Sequence, residues 1–376
     1  MTTDTALIEK REELKRRLAA GEYKTLVDVF LEWFERLLGK VTRRTKPLPP
    51  WFIATILSFV ITVIGLTAIF VSGDFTNFQI LNDELWGLEY GVGALWMISN
   101  SIVTVAFAMV INRHINRIIV FWRTDMLDAT ASLVSVGEFE DWLEGTCNRR
   151  LHFLAIGMGG LFSILFIVIP LGNLLGVFVG YGLTFTIIIL NLFAWSSVFQ
   201  LFASALLSSR LRQYVLNLFA ADPGSSELLS RLAGELSFGI YLVAVFAAIL
   251  TLTTTFVGLL PSLGILLVLL YWLPITAMFI LNQTSLSSII RRVKWKTLNE
   301  IQEKVEKLQT SKNFGNQETM DAIKRLMDYH DRVKATRDSA LDFRAYLNFI
   351  NSLLLPLLAF LLGNLDLVLS LFKRQP

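Results

Sequence analysis

The sequence predicts an all-α polytopic membrane protein: six clear transmembrane helices, a C-terminal seventh that is kinked or re-entrant, and cytosolic helical extensions. Three observations predict it. Hydrophobic residues make up 54% of the 376, above the roughly 45–50% of soluble domains, and the mean hydropathy is +0.56. The excess is gathered in continuous runs of about 20 residues, the length that about 30 Å of hydrocarbon demands of a helix; barrel strands would alternate instead. Lys and Arg collect at one set of run ends, and the opposite loops are acidic or uncharged. That is the positive-inside pattern, with the N-terminus in the cytoplasm of a cell-membrane protein.

Four regions follow: 1–50, cytosolic amphipathic helices and a linker; 51–282, the six-helix membrane domain with cytosolic inserts 113–150 and 208–235; 283–345, a cytosolic helical hairpin; and 346–376, a C-terminal membrane helix. Residues 5–19 are helix-prone and charged. In 22–40, Leu26, Val27, Phe30, Leu31, Trp33, Phe34, Leu37 and Leu38 recur at helical spacing. Their apolar face suits either the membrane surface or docking onto other helices. Residues 1–48 lack the short apolar core of a signal peptide. The linker TRRTKPLPP ends the helix, because proline removes a backbone donor.

The six spans are expected at about 51–71, 90–112, 151–170, 177–207, 236–256 and 260–281. Asp74, Asp83, Glu84 and Glu89 mark the first outer loop, and LGNLLG a tight turn between the third and fourth spans. Arg113, His114, Arg117 and Arg123 follow the second span, Arg149 and Arg150 precede the third, Arg210 and Arg212 follow the fourth, and Arg291, Arg292, Lys294 and Lys296 follow the sixth. DPGSS, at 222–226, is a Pro-Gly turn.

Beyond residue 298, Leu298, Ile301, Val305 and Leu308 step 3, 4, 3, a narrow coiled-coil-like seam. Asn316 is expected to cap a second helix carrying Thr319, Ala322, Leu326, Tyr329, Val333, Thr336, Ala340 and Phe343. Two helices joined by a short loop pack as an antiparallel hairpin. In the last apolar segment, Asn348, Ser352, Ala359, Gly363, Asp366 and Ser370 share one small, polar face, and Pro356 interrupts the helix. Lipid does not tolerate such a stripe, so it faces protein or water. It serves either close helix packing through small residues or a pore lining with Asp366 near the outer mouth. Whether 346–372 spans or folds back at Gly363–Asn364 stays open.

Asn100, Asn191 and Gln200 are the other intramembrane polar contacts, read as interhelical hydrogen-bonding groups. The first six spans carry no charge at their centres, which argues against a proton-coupled pump. The lone Cys147 has no metal partner by spacing, and a net charge of +3 is too small to point to nucleic acid. Phosphate-binding glycine loops, HExxH, CxxC and GxSxG are absent. Asp125 and Asp128, and the cluster Glu138, Glu140, Asp141 and Glu144, have no nucleophile or metal-ligand spacing nearby; the cluster reads as solvated helix, as does His330 between Asp328 and Asp331. No enzyme, cofactor or metal site is expected.

The layout of residues 50–372 resembles, in topology, the seven-helix ion channels typified by insect odorant and gustatory receptors; the gustatory-type signature is missing from LNFINSLLLPLLAFLLGN. The resemblance implies seven spans, an inner N-terminus and an outer C-terminus. It implies a last helix divided into a cytosolic part, 316–345, and a membrane part, 346–372. It further implies an oligomer anchored by the cytosolic parts and a central pore lined by the last helix, at Ser352, Ala359, Gly363 and Asp366. The expected function is a homo-oligomeric, ion-conducting channel, assembled through 283–372 and gated by the cytosolic layer, its ligand unspecified. A membrane-anchored scaffold or signalling module without a pore, and a small-molecule transporter, are the alternatives.

Overall fold

A computed structural model of the chain describes residues 3–42, 49–71, 91–163, 165, 181–256, 261–310, 316–338 and 343–364. Among them the chain is helical, and one antiparallel bridge, Thr130 to Leu216, is the only sheet-like pairing. The helices are α1 (Thr3–Ala19), α2 (Leu26–Thr42), α3 (Pro50–Val71), α4 (Gly91–Phe121), α5 (Leu133–Cys147) and α6 (Arg149–Ser163). They continue as α7 (Tyr181–Arg210), α8 (Glu227–Phe256), α9 (Pro261–Gln309), α10 (Gln317–Ala335) and α11 (Phe343–Gly363).

Four described helical stretches are long and apolar enough to cross a membrane: Ser101–Ala129, Leu192–Gln213, Glu227–Ile249 and Trp272–Gln309. That is fewer than the six or seven spans the sequence led us to expect. Trp51–Gly65 and Tyr346–Leu362 are apolar but shorter. The expected third span, 151–170, is described as helix only to Ser163. The outer loop 72–90 and the turn at 171–176 lie outside the described residues.

The largest core lies at the basic ends of the helices. Residues from α1, α4, α5, α7, α8 and α9 meet there, with Trp122, Phe139, Leu143, Leu211 and Tyr214 fully buried. One π-helical turn, Trp122–Met126, follows α4, and the Leu127 N–H reaches the Trp122 carbonyl. The added residue turns both Trp122 and Met126 inward, each 0% exposed. Trp122 stacks on Phe139 with ring centroids 3.9 Å apart and meets Tyr214 edge-on at 5.3 Å. Trp142 Nε1 donates to the Ala203 carbonyl at 2.7 Å, tying α5 to α7.

Charge fastens α1 to this core. Glu140 pairs with Lys10 at 3.2 Å and also with Arg17, Lys15 reaches Asp128 at 2.5 Å, and Arg11 donates to the Thr130 carbonyl. The Asp128 hydrogen bond holds the Lys15 ammonium above its usual range. The acidic group read as solvated therefore divides: Asp141 and Glu144 are exposed, but Glu140 anchors a neighbouring helix. A one-dimensional pattern on α5 does not show that α1 brings cations to it.

α9 has 49 residues, about 74 Å at 1.5 Å per residue, more than twice the hydrocarbon thickness. Its far end carries α10 as an antiparallel partner, with Leu298, Ile301 and Val305 buried against Val333, and Ile323, Leu326 and Tyr329 packed alongside. The expected continuous helix 316–345 instead breaks after Ala335. Thr336 Oγ1 donates to the Val333 carbonyl at 2.7 Å, and buried Lys294 Nζ donates to the Thr336 carbonyl at 2.7 Å and to Asp338 Oδ1 at 2.6 Å. Asn316 stands at the α10 cap position, but its side chain makes no capping bond.

Candidate functional site

Polar side chains converge where α2, α4 and α7 meet. Thr25 and Asp28 cap α2: the Asp28 N–H donates to Thr25 Oγ1 at 3.1 Å, and the Thr25 N–H to Asp28 Oδ2 at 3.2 Å. This reciprocal pair satisfies two amide donors that a helix start leaves open. Asp28 Oδ1 accepts from Asn112 Nδ2 at 2.6 Å and Asn116 Nδ2 at 3.0 Å. Asn112 Oδ1 accepts from Gln200 Nε2 at 3.0 Å and lies 2.6 Å from Thr25 Oγ1. Asn112 is 4% exposed and Gln200 0%, so each bond spares a donor or acceptor the cost of burial without a partner. The apolar side of α2 packs with Phe34 buried against Ile53, Leu57 and Ile61 of α3, while Trp33 and Leu37 remain exposed.

The next turns of α4 form the wall of a basic cavity. It holds about 480 Å³ and is lined by Arg113, Asn116, Arg117, Val120 and Phe121 of α4 and Thr124 of the π-helical turn, with Arg231, Gly234 and Glu235 of α8. The α4 positions recur at steps of three and four, which puts them on one face. Arg231 lies 5.3 Å over the Phe121 ring and pairs with Asp125 at 3.2 Å. Arg117 lies 5.6 Å over the Phe238 ring. His114, 0% exposed, sits between the helices with Nδ1 3.7 Å from Glu235 Oε2. Gly239 makes room for it: a Cβ there would stand 3.1 Å from His114 Nε2.

A second, larger cavity of about 960 Å³ runs along α3 and α4 below α2. Its walls include Trp51, Phe59, Val63, Ile102 and Val110, and Arg113 and Asn116 line both cavities.

The sequence-predicted residues are distributed differently. Gln200 joins the α4 hub. Asn100 lies on α4 and Asn191 on α7, with side chains outside the described residues. On α11, Ser352 and Ala359 are buried, 2% and 6% exposed, and α11 packs most extensively against α8. Ala244, Ala247 and Ala248 are among the buried small residues of α8. The Ser352 hydroxyl donates to the Asn348 carbonyl at 2.8 Å, within its own helix. Asn348 is exposed, Gly363 ends the helix, and Asp366 and Ser370 lie outside the described residues. Two aromatic contacts hold α11 to α9: Trp272 Nε1 donates to the Leu353 carbonyl at 3.0 Å, and Phe279 stacks on Phe349 at 4.0 Å.

Sequence pattern alone does not mark Asp28, Asn112, Arg113 and Arg117 as site residues. Their local signals are a Thr-x-x-Asp start before an apolar stripe and two arginines one turn apart at the end of an apolar run. Among the described residues, no three His, Cys, Asp or Glu side chains are grouped to hold a metal. No protein-family model, curated protein or solved structure matches the chain.

Proposed function

We propose that this protein is a multi-pass membrane anchor whose working part is the helical layer at the basic ends of the bundle, a scaffold or signalling platform rather than a pore. In this reading six helices and a C-terminal seventh enter the bilayer, and the N-terminus, the α5 insert and the α9–α10 hairpin lie in the cytoplasm. The carrying observation is on α11. Ser352 and Ala359, two of the six small-face residues expected to line a pore, are buried within a single chain, and the large residues Leu354, Leu358, Leu361 and Leu362 point outward. Small residues facing a neighbouring helix allow close packing in lipid, whereas a pore-lining face must stay open within its own protomer. The large aromatic core and the salt-bridged α1 give the basic layer a fixed shape on which a partner can dock.

A channel formed by several copies is the second reading, favoured by the outward-facing Asn348 and Asn351 on α11. Flux through liposomes separates the two. With purified full-length protein, the platform reading expects ion leak no greater than in protein-free vesicles. Leak that rises with protein copies and falls in Asp366→Asn would establish the channel instead.

A further inference from the structure

We propose that the basic cavity and the groove beside it form one site for a single anionic phospholipid, with an acyl chain in the groove and its phosphate on Arg113 and Arg117. This rests on the proposed insertion in a membrane, and holds whether the basic layer is a platform or a gate.

The groove is hydrocarbon in character although three hydroxyls line it. Thr55, Ser58 and Thr62 donate to the carbonyls of Trp51, Ala54 and Ser58, at 2.9, 2.8 and 2.8 Å. Their hydrogen-bonding demand is met inside α3, so the surface they offer a ligand makes no call for water. Trp51 and Phe59, 69% and 68% exposed, form the outer rim, and 960 Å³ is at the upper end of small-molecule sites.

The polar end carries the opposite chemistry. Arg113 has no ion pair or hydrogen bond among the described residues, and the contact on Arg117 is the Phe238 ring. Three carboxylates stand nearby, and two of them are engaged elsewhere. Asp28 is turned to Asn112, Asn116 and Thr25 and Asp125 to Arg231; Glu235 lines the cavity with Oε2 3.7 Å from His114 Nδ1, beyond hydrogen-bond reach, so one carboxylate faces two arginines. Two guanidiniums one turn apart remain for a phosphate, and a guanidinium fork matches phosphate oxygens. Arg113 and Asn116 border both cavities, so a ligand must be charged at one end and apolar along the other. Basic pockets between membrane helices on the cytoplasmic side bind anionic headgroups by this logic.

The test uses full-length protein in nanodiscs of phosphatidylcholine with a minor share of phosphatidylglycerol. The protein is re-extracted in mild detergent, and bound phospholipid is measured by native mass spectrometry. Wild type is expected to hold phosphatidylglycerol enriched about tenfold over its share in the disc. Arg113→Gln with Arg117→Gln should return the ratio to that of the disc, while Arg149→Gln with Arg150→Gln leaves the enrichment in place. Ala106→Phe, which narrows the groove without touching the arginines, should lower bound phospholipid of both kinds. Bound lipid at the disc ratio in wild type, or enrichment that survives loss of Arg113 and Arg117, would overturn the proposal. Full displacement by soluble glycerol phosphate would overturn the part assigned to the groove. Protein that stays soluble when detergent is removed would instead refute the membrane reading itself.

Discussion

Gln200 and Asn112 meet inside the bundle, Nε2 to Oδ1 at 3.0 Å, with both side chains shielded from solvent. Asn112 also holds Asp28, so one amide joins α2, α4 and α7. Asn112→Ala is expected to cost about 1–3 kcal/mol, because it leaves Gln200 and Asp28 short of a buried partner. Gln200→Ala alone should cost less. A double-mutant cycle by denaturant unfolding in detergent should return a coupling of about 0.6–1.7 kcal/mol, the range of interhelical bonds in lipid. Strict additivity would show that the two side chains do not interact.

Gly159 of α6 packs directly against Trp195 of α7. A Cβ placed there would stand 2.0 Å from Trp195 Cγ, a distance no side-chain rotation on a glycine-to-alanine change can absorb without moving the indole. Gly159→Ala is expected to destabilise by about 1–3 kcal/mol, as overpacking does, and Trp195→Leu in the same chain should recover part of the loss. Thermal unfolding in detergent measures both. Gly160, with open space at its Cβ position, serves as the control that should tolerate alanine.

Lys294 secures the end of the α10 arm. Its side chain is 7% exposed, and its ammonium bonds to the Thr336 carbonyl and Asp338. Lys294→Met removes both bonds at an estimated cost of about 1–3 kcal/mol. Amide exchange should then quicken across 317–335 and leave the α1–α5 contact unchanged. Uniform exchange throughout the chain would mean that Lys294 supports the whole fold and not the arm.

Alkaline pH should expose the setting of Cys147. Burial, helped by the Asp28 carboxylate, pushes its thiol from the ordinary 9.0 up to about 12. Between those values the unfolded chain sheds the thiol proton and the folded chain keeps it. The unfolded state then binds fewer protons, so stability falls as pH rises from about 9 towards 12 and is unaffected below. The slope from this group is at most about 1.4 kcal/mol per pH unit. Cys147→Ala should flatten that limb. Maleimide at neutral pH should modify folded Cys147 slowly and the denatured chain fast.

The parts of the fold that were legible are those written in short-range periodicity. The 3–4 stepping of Leu298, Ile301 and Val305 and of Leu326, Tyr329 and Val333 foretells which faces of α9 and α10 meet, because both stripes are narrow and the connecting loop is short. Apolar run length marks the cores of α4, α7, α8 and α9 for the same local reason. The helix end at Thr336 has a local bond to the Val333 carbonyl, but its tie to Lys294, 42 residues earlier, is not local. The Asn112 hub is equally hidden, since an asparagine at the edge of an apolar run looks like any interfacial residue until α2 delivers Asp28 to it. The α11 stripe shows the limit most clearly. Spacing places Ser352 and Ala359 on one face, but it carries no information on whether α8 or water covers that face.

Cysteine accessibility on α11 tests the central claim most directly. In a Cys147→Ser background, Ser352→Cys and Ala359→Cys are treated in proteoliposomes with a membrane-impermeant maleimide, with Asp141→Cys as the exposed control. The account predicts that Asp141→Cys is labelled once its side of the membrane is reached, while Ser352→Cys and Ala359→Cys stay unlabelled from either side. Labelling of Ser352→Cys or Ala359→Cys in the folded protein would put water against that face and contradict the sealed packing on which the platform reading stands.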